Sequence, residues 1–372
     1  MRDSCLTDGE PSAPVDTARV LDRIAFLLER ESEPAYRVRA FRNAAAVVRD
    51  LAPDALAGHV RAGTLRTLPA IGPVTAGIIA EAHAGEVPEY LRRLEAVEAR
   101  AVPDAARALR AALRGDCHTH SDWSDGGSPI AEMALAARAL GHEYIVLTDH
   151  SPRLTIARGL TEERLRRQLD VVAELNATLA PFRILTGIEV DILEDGALDQ
   201  TPELLGELDL VVASVHSKLR MPEPEMTRRM LAAVANPHTD VLGHCTGRIV
   251  VGRGRPESTF DHHAVFTACR DHGVAVEVNS RPERLDPPRR LLRAAVELGC
   301  RLAVDTDAHA PGELEWQMNG CVRAEECGAT ASSVVNAMSA DELIAWTHQS
   351  LPLPGRRQTV YSPPSTSRNA RE

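Results

Sequence analysis

The chain is poor in aromatic residues and almost devoid of lysine. Aromatic residues make up 3% of its 372 residues, and Lys218 is its one lysine among 42 lysine and arginine residues. Schiff-base chemistry needs an amine that can lose its proton near neutral pH, and arginine cannot supply one. Lys218 is therefore the only side chain that could form an imine, which restricts the covalent chemistry open to this chain.

Long hydrophobic runs and paired cysteines are also lacking. No run approaches the length of about eighteen apolar residues that a membrane span needs. The first fifteen residues are polar and include Pro11 and Pro14, unlike a secretory signal. Seven cysteines are scattered without a C-x-x-C pair, a usage typical of reduced thiols. We therefore expect a cytoplasmic chain that makes no membrane contact.

The charge balance limits the partners of the chain. A net charge of −11 argues against a protein that coats nucleic acid by bulk charge, although a local DNA contact stays open. Residues 16–100 contain twelve acidic and twelve basic residues, so the remainder carries the negative charge. A content of 44% hydrophobic residues in a chain of this length suits two domains with one large core. Nothing in the sequence indicates an obligate protein partner.

The sequence does contain a recurring pattern, in which short β-branched runs end in metal-ligand residue types. His118 and His120 lie two apart on an extended segment, so their side chains share one side, and Asp125 follows just beyond. The further runs end in His150, Glu189, His216, His244, Asp307 and His309. Nine ligands are too many for one ion and suit two or three. Imidazole and carboxylate ligands are compatible with zinc, manganese or iron.

From residue 114 onward these strand-like runs alternate with amphipathic helices. We expect the helices at about 161–179, 223–235, 258–272, 287–298 and 332–348. Roughly seven strand–helix units in about 240 residues predict an α/β fold, a distorted (β/α)7 barrel similar to a TIM barrel. In a barrel all strand carboxyl ends meet on one face, which explains why distant ligand-type residues each follow a strand.

The N-terminal part differs in character, because residues 16–87 show helical spacing throughout. The stretch 68–80 contains a tight glycine turn at Ile71-Gly72, followed by a helix with Gly77. It resembles a helix-hairpin-helix, in which N–H groups at a helix N-terminus face a DNA phosphate. The resemblance implies DNA contact at Ile71, Gly72 and Gly77, although Ala70 stands where that motif usually has its first glycine. A small helical packing domain is the alternative.

The expected domain organisation follows from these patterns. A helical connector spans 88–113, the barrel spans 114–350, and the ends 1–15 and 351–372 are expected to be disordered.

Residues 114–348 resemble the PHP (polymerase and histidinol phosphatase) domain family. The matching motifs are His118-x-His120, Thr148-Asp-His-Ser151, Gly187-Ile-Glu-Val-Asp191, Ser214-Val-His-Ser217, Gly243-His244, Glu277-Val-Asn279 and Thr306-Asp-Ala-His309. Ala157-Arg-Gly-Leu160 and Arg284-Leu-Asp286 are similar to the PHP domain that ends bacterial family X DNA polymerases. About thirty residues separate the hairpin from His118, too few for a polymerase palm. We therefore expect no polymerase activity.

That resemblance implies a trinuclear metal site. One metal would take His118, His120, Glu189 and Asp307, and a second would share Glu189 and take His216. The third would take Asp125, His150 and His309, with His244 completing the second or the third. Asp149 and Asp191 are expected to orient histidine ligands. The position of the lyase lysine of family X polymerases is occupied by Ile78, so no lyase activity is expected either.

Such a site predicts a metal-dependent phosphoesterase, because clustered divalent ions activate water and offset charge on a phosphate. Glu189 and Asp307 would be catalytic as metal ligands, and Lys218 and Arg158 as groups that grip the phosphate. Arg248, Arg281 and Asn279 would bind substrate. The helical domain favours processing of DNA 3′ ends, by 3′–5′ exonuclease or 3′-phosphatase action, in repair. A small-molecule phosphatase of the histidinol-phosphatase type and a non-catalytic DNA-binding scaffold are the alternatives.

Overall fold

The computed structural model describes residues 16–96 and 103–349 of the chain. The two ends that were expected to be disordered, 1–15 and 351–372, lie outside the described residues, as does 97–102 of the connector. Within the described ranges, no helix combines the length and apolar character that crossing a membrane requires.

Five helices form the N-terminal unit. They are α1 (Thr17–Arg30), α2 (Ala35–Asp50), α3 (Pro53–Ala62), α4 (Pro73–His83) and α5 (Glu89–Ala96). Asp16 starts α1 by accepting hydrogen bonds from the N–H groups of Ala18 and Arg19. Gly63 ends α3 in the left-handed conformation. The apolar faces of these helices bury Leu21, Ile24 and Ile79 in a core of their own, so the unit has its own hydrophobic centre.

The turn before α4 is left-handed at Ala70, where the helix-hairpin-helix motif usually has its first glycine. Ala70 has φ +58, the left-handed region that favours glycine. Gly72 precedes α4, and its N–H donates to Thr75 Oγ1 at 2.9 Å. Gly77 lies exposed on α4. The side chain of Ile71 is buried in the helical core, and DNA contact at Ile71, Gly72 and Gly77 stays a prediction.

Seven parallel strands form the barrel in the order β1 to β7. They are β1 (Gly115–Thr119), β2 (Tyr144–Leu147), β3 (Arg183–Asp191), β4 (Leu210–Ser214), β5 (Val241–Leu242), β6 (Ala275–Asn279) and β7 (Leu302–Asp305). A bridge between Thr119 and Ala308, with the His120 N–H donating to the Ala308 carbonyl at 2.8 Å, joins β1 to the segment after β7. The sheet is therefore nearly closed, which confirms the predicted TIM-like barrel.

Helices cover the outside of this barrel. They are α6 (Asp104–Ala112), α7 (Ile130–Ala139), α8 (Glu162–Leu179), α9 (Pro202–Leu205), α10 (Glu223–Val234), α11 (His262–His272), α12 (Arg289–Glu297), α13 (Gln317–Glu326) and α14 (Ala340–Gln349). The strands are buried on both faces, as parallel strands between helices must be.

Two sequence-based expectations differ from the structure. The helix predicted at 332–348 is two 3-10 turns, 331–333 and 335–337, followed by α14. The connector is not one element, because Leu91 of α5 packs in the helical core whereas Leu109 of α6 packs in the barrel core. Helical spacing identified both apolar faces, but it carries no information on which core each face meets.

The interior of the barrel changes from apolar to acidic along the strands. Alternate residues of a strand share one face, and Leu185 of β3 and Ala303 of β7 lie in an apolar cluster that α14 covers. Two steps further toward the carboxyl end stand Gly187 and Asp305, and two more bring Glu189 and Asp307. The strand period places Glu189 at the carboxyl end of β3, and the turn after β7, where Asp307 has φ +55, places Asp307 at the same end of the barrel.

We predict that Ala70→Gly stabilises the helical unit. A left-handed alanine costs about 1–2 kcal/mol, and the greater freedom of glycine in the unfolded chain offsets about 0.4–1 kcal/mol of the gain. The free energy of unfolding, measured by urea denaturation, should rise by about 0.5–1 kcal/mol. Ala46→Gly on the exposed face of α2 is the matched control and should lower it by about 1 kcal/mol. A lower unfolding midpoint for Ala70→Gly would contradict the left-handed turn.

Candidate metal centre

Four side chains from three strand ends meet at the first group of candidate ligand atoms. Nε2 of His118 lies 3.5 Å from Glu189 Oε2 and 4.0 Å from Asp307 Oδ1. Nε2 of His120 lies 3.7 Å and 3.4 Å from the same two oxygens. Ligands about 2.0–2.2 Å from one tetrahedral ion are about 3.3–3.6 Å from each other. The spacing of this group therefore suits one divalent ion.

The other oxygen of Glu189 serves a second group. Glu189 Oε1 lies 3.2 Å from His216 Nε2 and 2.8 Å from His244 Nε2. The sequence left His244 open between the second and third groups, and the geometry puts it beside His216. Glu189 thus faces both groups, one with each oxygen.

A third group lies on the other side of His120. Asp125 Oδ1 is 3.4 Å from His150 Nε2 and 3.3 Å from His309 Nε2. Potential ligand atoms of His120, Asp125, His150 and His309 all fall within 4.8 Å of one another. The structure therefore brings all nine sequence-predicted ligands together, in three neighbouring groups. Their binding of metal remains a prediction.

Several of these atoms are buried without a hydrogen-bond partner among the described residues. They are Nε2 of His118, His120 and His216, and Oε2 of Glu189. An unsatisfied buried polar atom costs about 1–3 kcal/mol, and four at one point call for a bound group. Imidazole nitrogens and carboxylate oxygens that face each other fit a divalent cation, so the residues present fit the metals that the sequence predicts.

The electrostatics of the cluster also call for positive charge. Burial lowers the pKa of His150, but the facing carboxylates of Glu189 and Asp125 outweigh it and raise this pKa to about 10. Burial raises the pKa of Glu189, yet the neighbouring histidines hold it well below its usual range. In the metal-free protein His150 therefore retains a proton that a divalent cation can replace.

Buried acids outside the three groups orient the histidines. Glu277 Oε1 lies 2.6 Å from Nδ1 of His118, and its other oxygen accepts the backbone N–H of His244. Asp191 Oδ1 lies 3.4 Å from Nδ1 of His216, as the sequence predicted. These contacts turn Nε2 of each ring toward the ligand groups. No role was predicted for Glu277 from the sequence. Its position two residues before Asn279 on β6 puts it on the same face of the strand, which was the available signal.

Asp149 does not orient a histidine, contrary to the prediction. Its carboxylate accepts hydrogen bonds from the N–H and hydroxyl of Ser121, the hydroxyl of Ser124 and the amide of Gln168. It therefore holds the loop that carries Asp125. Sequence proximity to His150 suggested the other role, but neighbouring residues on a strand point to opposite faces.

Two arginines and one amide contact Asp307. Arg284 Nε lies 3.1 Å from Asp307 Oδ2, and Arg281 Nη1 donates to the carbonyl oxygen of Asp307 at 2.8 Å. Asn279, predicted to bind substrate, is fully buried and donates to Asp307 Oδ2 at 3.1 Å. Asn279 therefore positions a carboxylate and is not open to a substrate, whereas both arginines are partly exposed.

The remaining predicted phosphate-binding residues divide into two kinds. Arg248 donates to the carbonyls of Arg284 and Leu285, so it braces that loop, and its substrate contact stays a prediction. Lys218 and Arg158 are exposed after β4 and β2, on the face of the barrel where the ligand groups lie. Their roles in catalysis remain predictions.

We predict that Glu189→Ala removes about two divalent ions per chain, because its two oxygens face the first and second groups. Elemental analysis of protein dialysed after loading with Mn²⁺ measures the content. His262→Ala, at the exposed start of α11, should retain the wild-type content. Unchanged metal in the Glu189 variant would show that this carboxylate bridges nothing.

Metal binding should release protons and strengthen as pH rises. The pKa of His150 is raised to about 10, and those of His118 and His216 are also raised by facing carboxylates that outweigh burial. These rings hold protons at neutral pH, and an ion must displace them. Calorimetric titration with Mn²⁺ in buffers of different ionisation enthalpy counts the released protons. We expect proton release at pH 7 and weaker binding at pH 6 than at pH 8, and a proton count of zero would contradict this electrostatic description.

Comparison with known families divides the chain as the structure does. A PHP domain model matches residues 116–281, and a helix-hairpin-helix domain model matches residues 14–87. The first range contains seven of the nine predicted ligands, and the second contains the turn at Ala70 and Gly72.

The relatives fall into two kinds. The chain is 39% identical over 234 residues to the DNA polymerase/3′-5′ exonuclease PolX of Bacillus subtilis, which covers 63% of this chain but only 41% of the relative. It is 30% identical over 207 residues to a probable phosphatase of Caldanaerobacter subterraneus, covering 52% of this chain and 75% of the relative.

A solved structure also resembles the barrel. It is the histidinol phosphate phosphatase of Lactococcus lactis in complex with zinc, L-histidinol and phosphate, at 18% identity and a TM-score of 0.43, covering 59% of this chain and 95% of that one. The domain match and the relatives of known family together identify the chain as a member of the PHP domain family with an N-terminal helix-hairpin-helix domain.

Proposed function

We propose that this protein is a metal-dependent phosphoesterase that processes DNA 3′ ends, by 3′–5′ exonuclease or 3′-phosphatase action. The main observation that supports a hydrolase is the set of three neighbouring ligand groups around Glu189. When bound, divalent ions in such groups activate water near neutral pH and offset the charge that develops on a phosphate.

The side chains around the ligand groups suit a phosphate substrate. Arg281 and Arg284 lie beside Asp307 with part of their surface exposed. Lys218 and Arg158 lie exposed after other strands of the same barrel end. Each offers a cation to a phosphate oxygen without a covalent step. We therefore assign these residues to binding and orientation, and none to nucleophilic attack.

The helical unit supports DNA as the substrate. The left-handed turn at Ala70 precedes the start of α4, where Val74 is 58% exposed. Exposed Arg61 and Arg66 lie shortly before this turn. Helix N-terminal N–H groups beside arginines attract a phosphate backbone. The relative PolX carries the name of a 3′-5′ exonuclease, which is the same reaction class.

One observation favours the alternative, a small-molecule phosphatase. A cavity of about 540 Å³ beside His216 is lined by Asp191, Glu194 and Asp195, with Arg153 as its cation. Carboxylates around such a cavity would repel a DNA backbone and attract a substrate that carries an amine, as histidinol phosphate does. The two substrates therefore have to be compared directly.

The decisive experiment measures hydrolysis of three substrates by the wild type and by one surface variant. The substrates are a 3′-ended oligonucleotide, histidinol phosphate and p-nitrophenyl phosphate. We expect the Mn²⁺-loaded chain to hydrolyse a 3′-ended oligonucleotide with a higher kcat/KM than histidinol phosphate. Val74→Glu adds a negative charge to the first turn of α4, which repels DNA but stabilises the helix. It should lower kcat/KM on the oligonucleotide about fivefold at low salt and leave p-nitrophenyl phosphate hydrolysis unchanged.

Val87→Glu is the matched control, because Val87 is a similarly exposed valine (50%) after the end of α4. It should leave all three rates near those of the wild type. A preference for histidinol phosphate, with equal DNA rates in both variants, would favour the small-molecule phosphatase. No hydrolysis of any substrate by metal-loaded protein would contradict both functions.

A further inference from the structure

Helix α1 of the helical unit packs against the segment that follows the ligand His309. This segment, Pro311–Trp316, is a 3-10 helix that begins two residues after His309 and leads into α13. Its Pro311, Gly312, Leu314 and Trp316 are buried. The helical unit therefore meets the barrel at the loop that supplies Asp307 and His309.

Glu29 is at the centre of this contact. It is 6% exposed, and its Oε2 accepts the N–H of Gly312 at 2.9 Å. Arg42 holds the same carboxylate, with Nη2 3.0 Å from both oxygens. A Cβ on Gly312 would lie 2.0 Å from the carbonyl oxygen of Phe26, so a side chain at 312 would push the helix away. The contact is close and depends on glycine.

A second contact lies at the other end of the segment. The indole Nε1 of Trp316 donates to the carbonyl oxygen of Arg30 at 2.7 Å. Arg30 Nη1 forms an ion pair with Glu315 at 3.2 Å. The C-terminal turn of α1 therefore contacts three residues of the segment, Gly312, Glu315 and Trp316.

The same segment holds the ligands on its inner side. Glu313 Oε2 accepts the backbone N–H of His309 at 2.7 Å. Arg281 lies over the ring of Trp316, with 5.4 Å between its guanidinium carbon and the ring centroid. Arg281 Nη1 also reaches the carbonyl oxygen of Asp307 and Nδ1 of His309, each at 2.8 Å. A continuous set of contacts thus runs from α1 through Trp316 and Arg281 to two predicted ligands.

We propose that the helical unit is a structural part of the metal centre, with Glu29 and Trp316 as positioning residues for His309. Their contacts hold the 311–316 segment, which sets the place of His309 opposite Asp125 and His150. The third group would then bind its ion well only when α1 is docked. This inference rests on the metal centre of the proposed function, and it holds for any substrate.

One consequence concerns small substrates. If the helical unit only contacted DNA, its loss would spare hydrolysis of a small ester. If it also holds His309, a weaker contact between α1 and the 311–316 segment lowers hydrolysis of p-nitrophenyl phosphate too. Point substitutions in the full chain separate these roles, because the turn at Ala70 precedes α4 whereas Glu29 lies on α1.

The test uses Glu29→Ala and Trp316→Phe in the full chain. Trp316→Phe keeps a ring for Arg281 but loses the N–H donor to Arg30. Hydrogen exchange of the 310–317 peptide reports the contact between α1 and the 311–316 segment. Elemental analysis after dialysis reports bound Mn²⁺. We expect faster exchange, the loss of about one ion per chain, and Mn²⁺ affinity of that ion about tenfold weaker, the effect typical of residues that orient ligands. Excess Mn²⁺ should restore kcat on p-nitrophenyl phosphate.

Arg19→Ala is the matched control, because Arg19 lies exposed near the start of the same helix and pairs with Asp16 at 3.3 Å, away from the contact with 311–316. It should change neither exchange at 310–317 nor metal content. Faster exchange with full metal content would overturn the proposal, and so would unchanged exchange in both test variants. A wild-type chain that binds no Mn²⁺ would instead refute the metal centre itself, so the two failures are distinguishable.

Discussion

The arrangement of the site depends on the carboxylate of Glu189, a fully buried group that faces histidines on both sides. One oxygen faces His118 and His120, and the other faces His216 and His244. A buried charge is tolerated only when it is paired, and here the partners come from three different strand ends. The barrel must therefore close to within a few ångströms for this carboxylate to be stable, and the same closure creates the ligand groups.

Closure of the barrel in turn depends on the contacts around the ligand groups. Glu277 and Asp191 orient two imidazoles, Asp149 holds the loop of Asp125, and Asn279 and Arg284 hold Asp307. Each contact joins a different strand or loop to the centre. The site is thus supported from all sides of the barrel, and the dock of α1 on 311–316 extends that support to a second domain.

The identity of nearly all the ligand-type residues was predictable, because each follows a β-branched run and the pattern recurs along the chain. The roles of the surrounding residues were not. Asn279 was expected at the substrate but lies buried against Asp307, and Arg248 was expected at a phosphate but braces two carbonyls. Both lie near strand ends, where a side chain can point inward to a ligand or outward to solvent. Spacing alone does not distinguish these directions.

The sequence by itself determined the fold class, the two-part organisation and the set of candidate ligands, because strand and helix periods are local properties of the chain. Only the tertiary structure decided which ligands form a group, that His244 faces Glu189 beside His216, and that α1 contacts the segment after His309. These are relations between residues as much as 286 positions apart. They follow from barrel closure and from the packing of the helical unit against the barrel. A local sequence pattern carries no information on which distant residues come into contact.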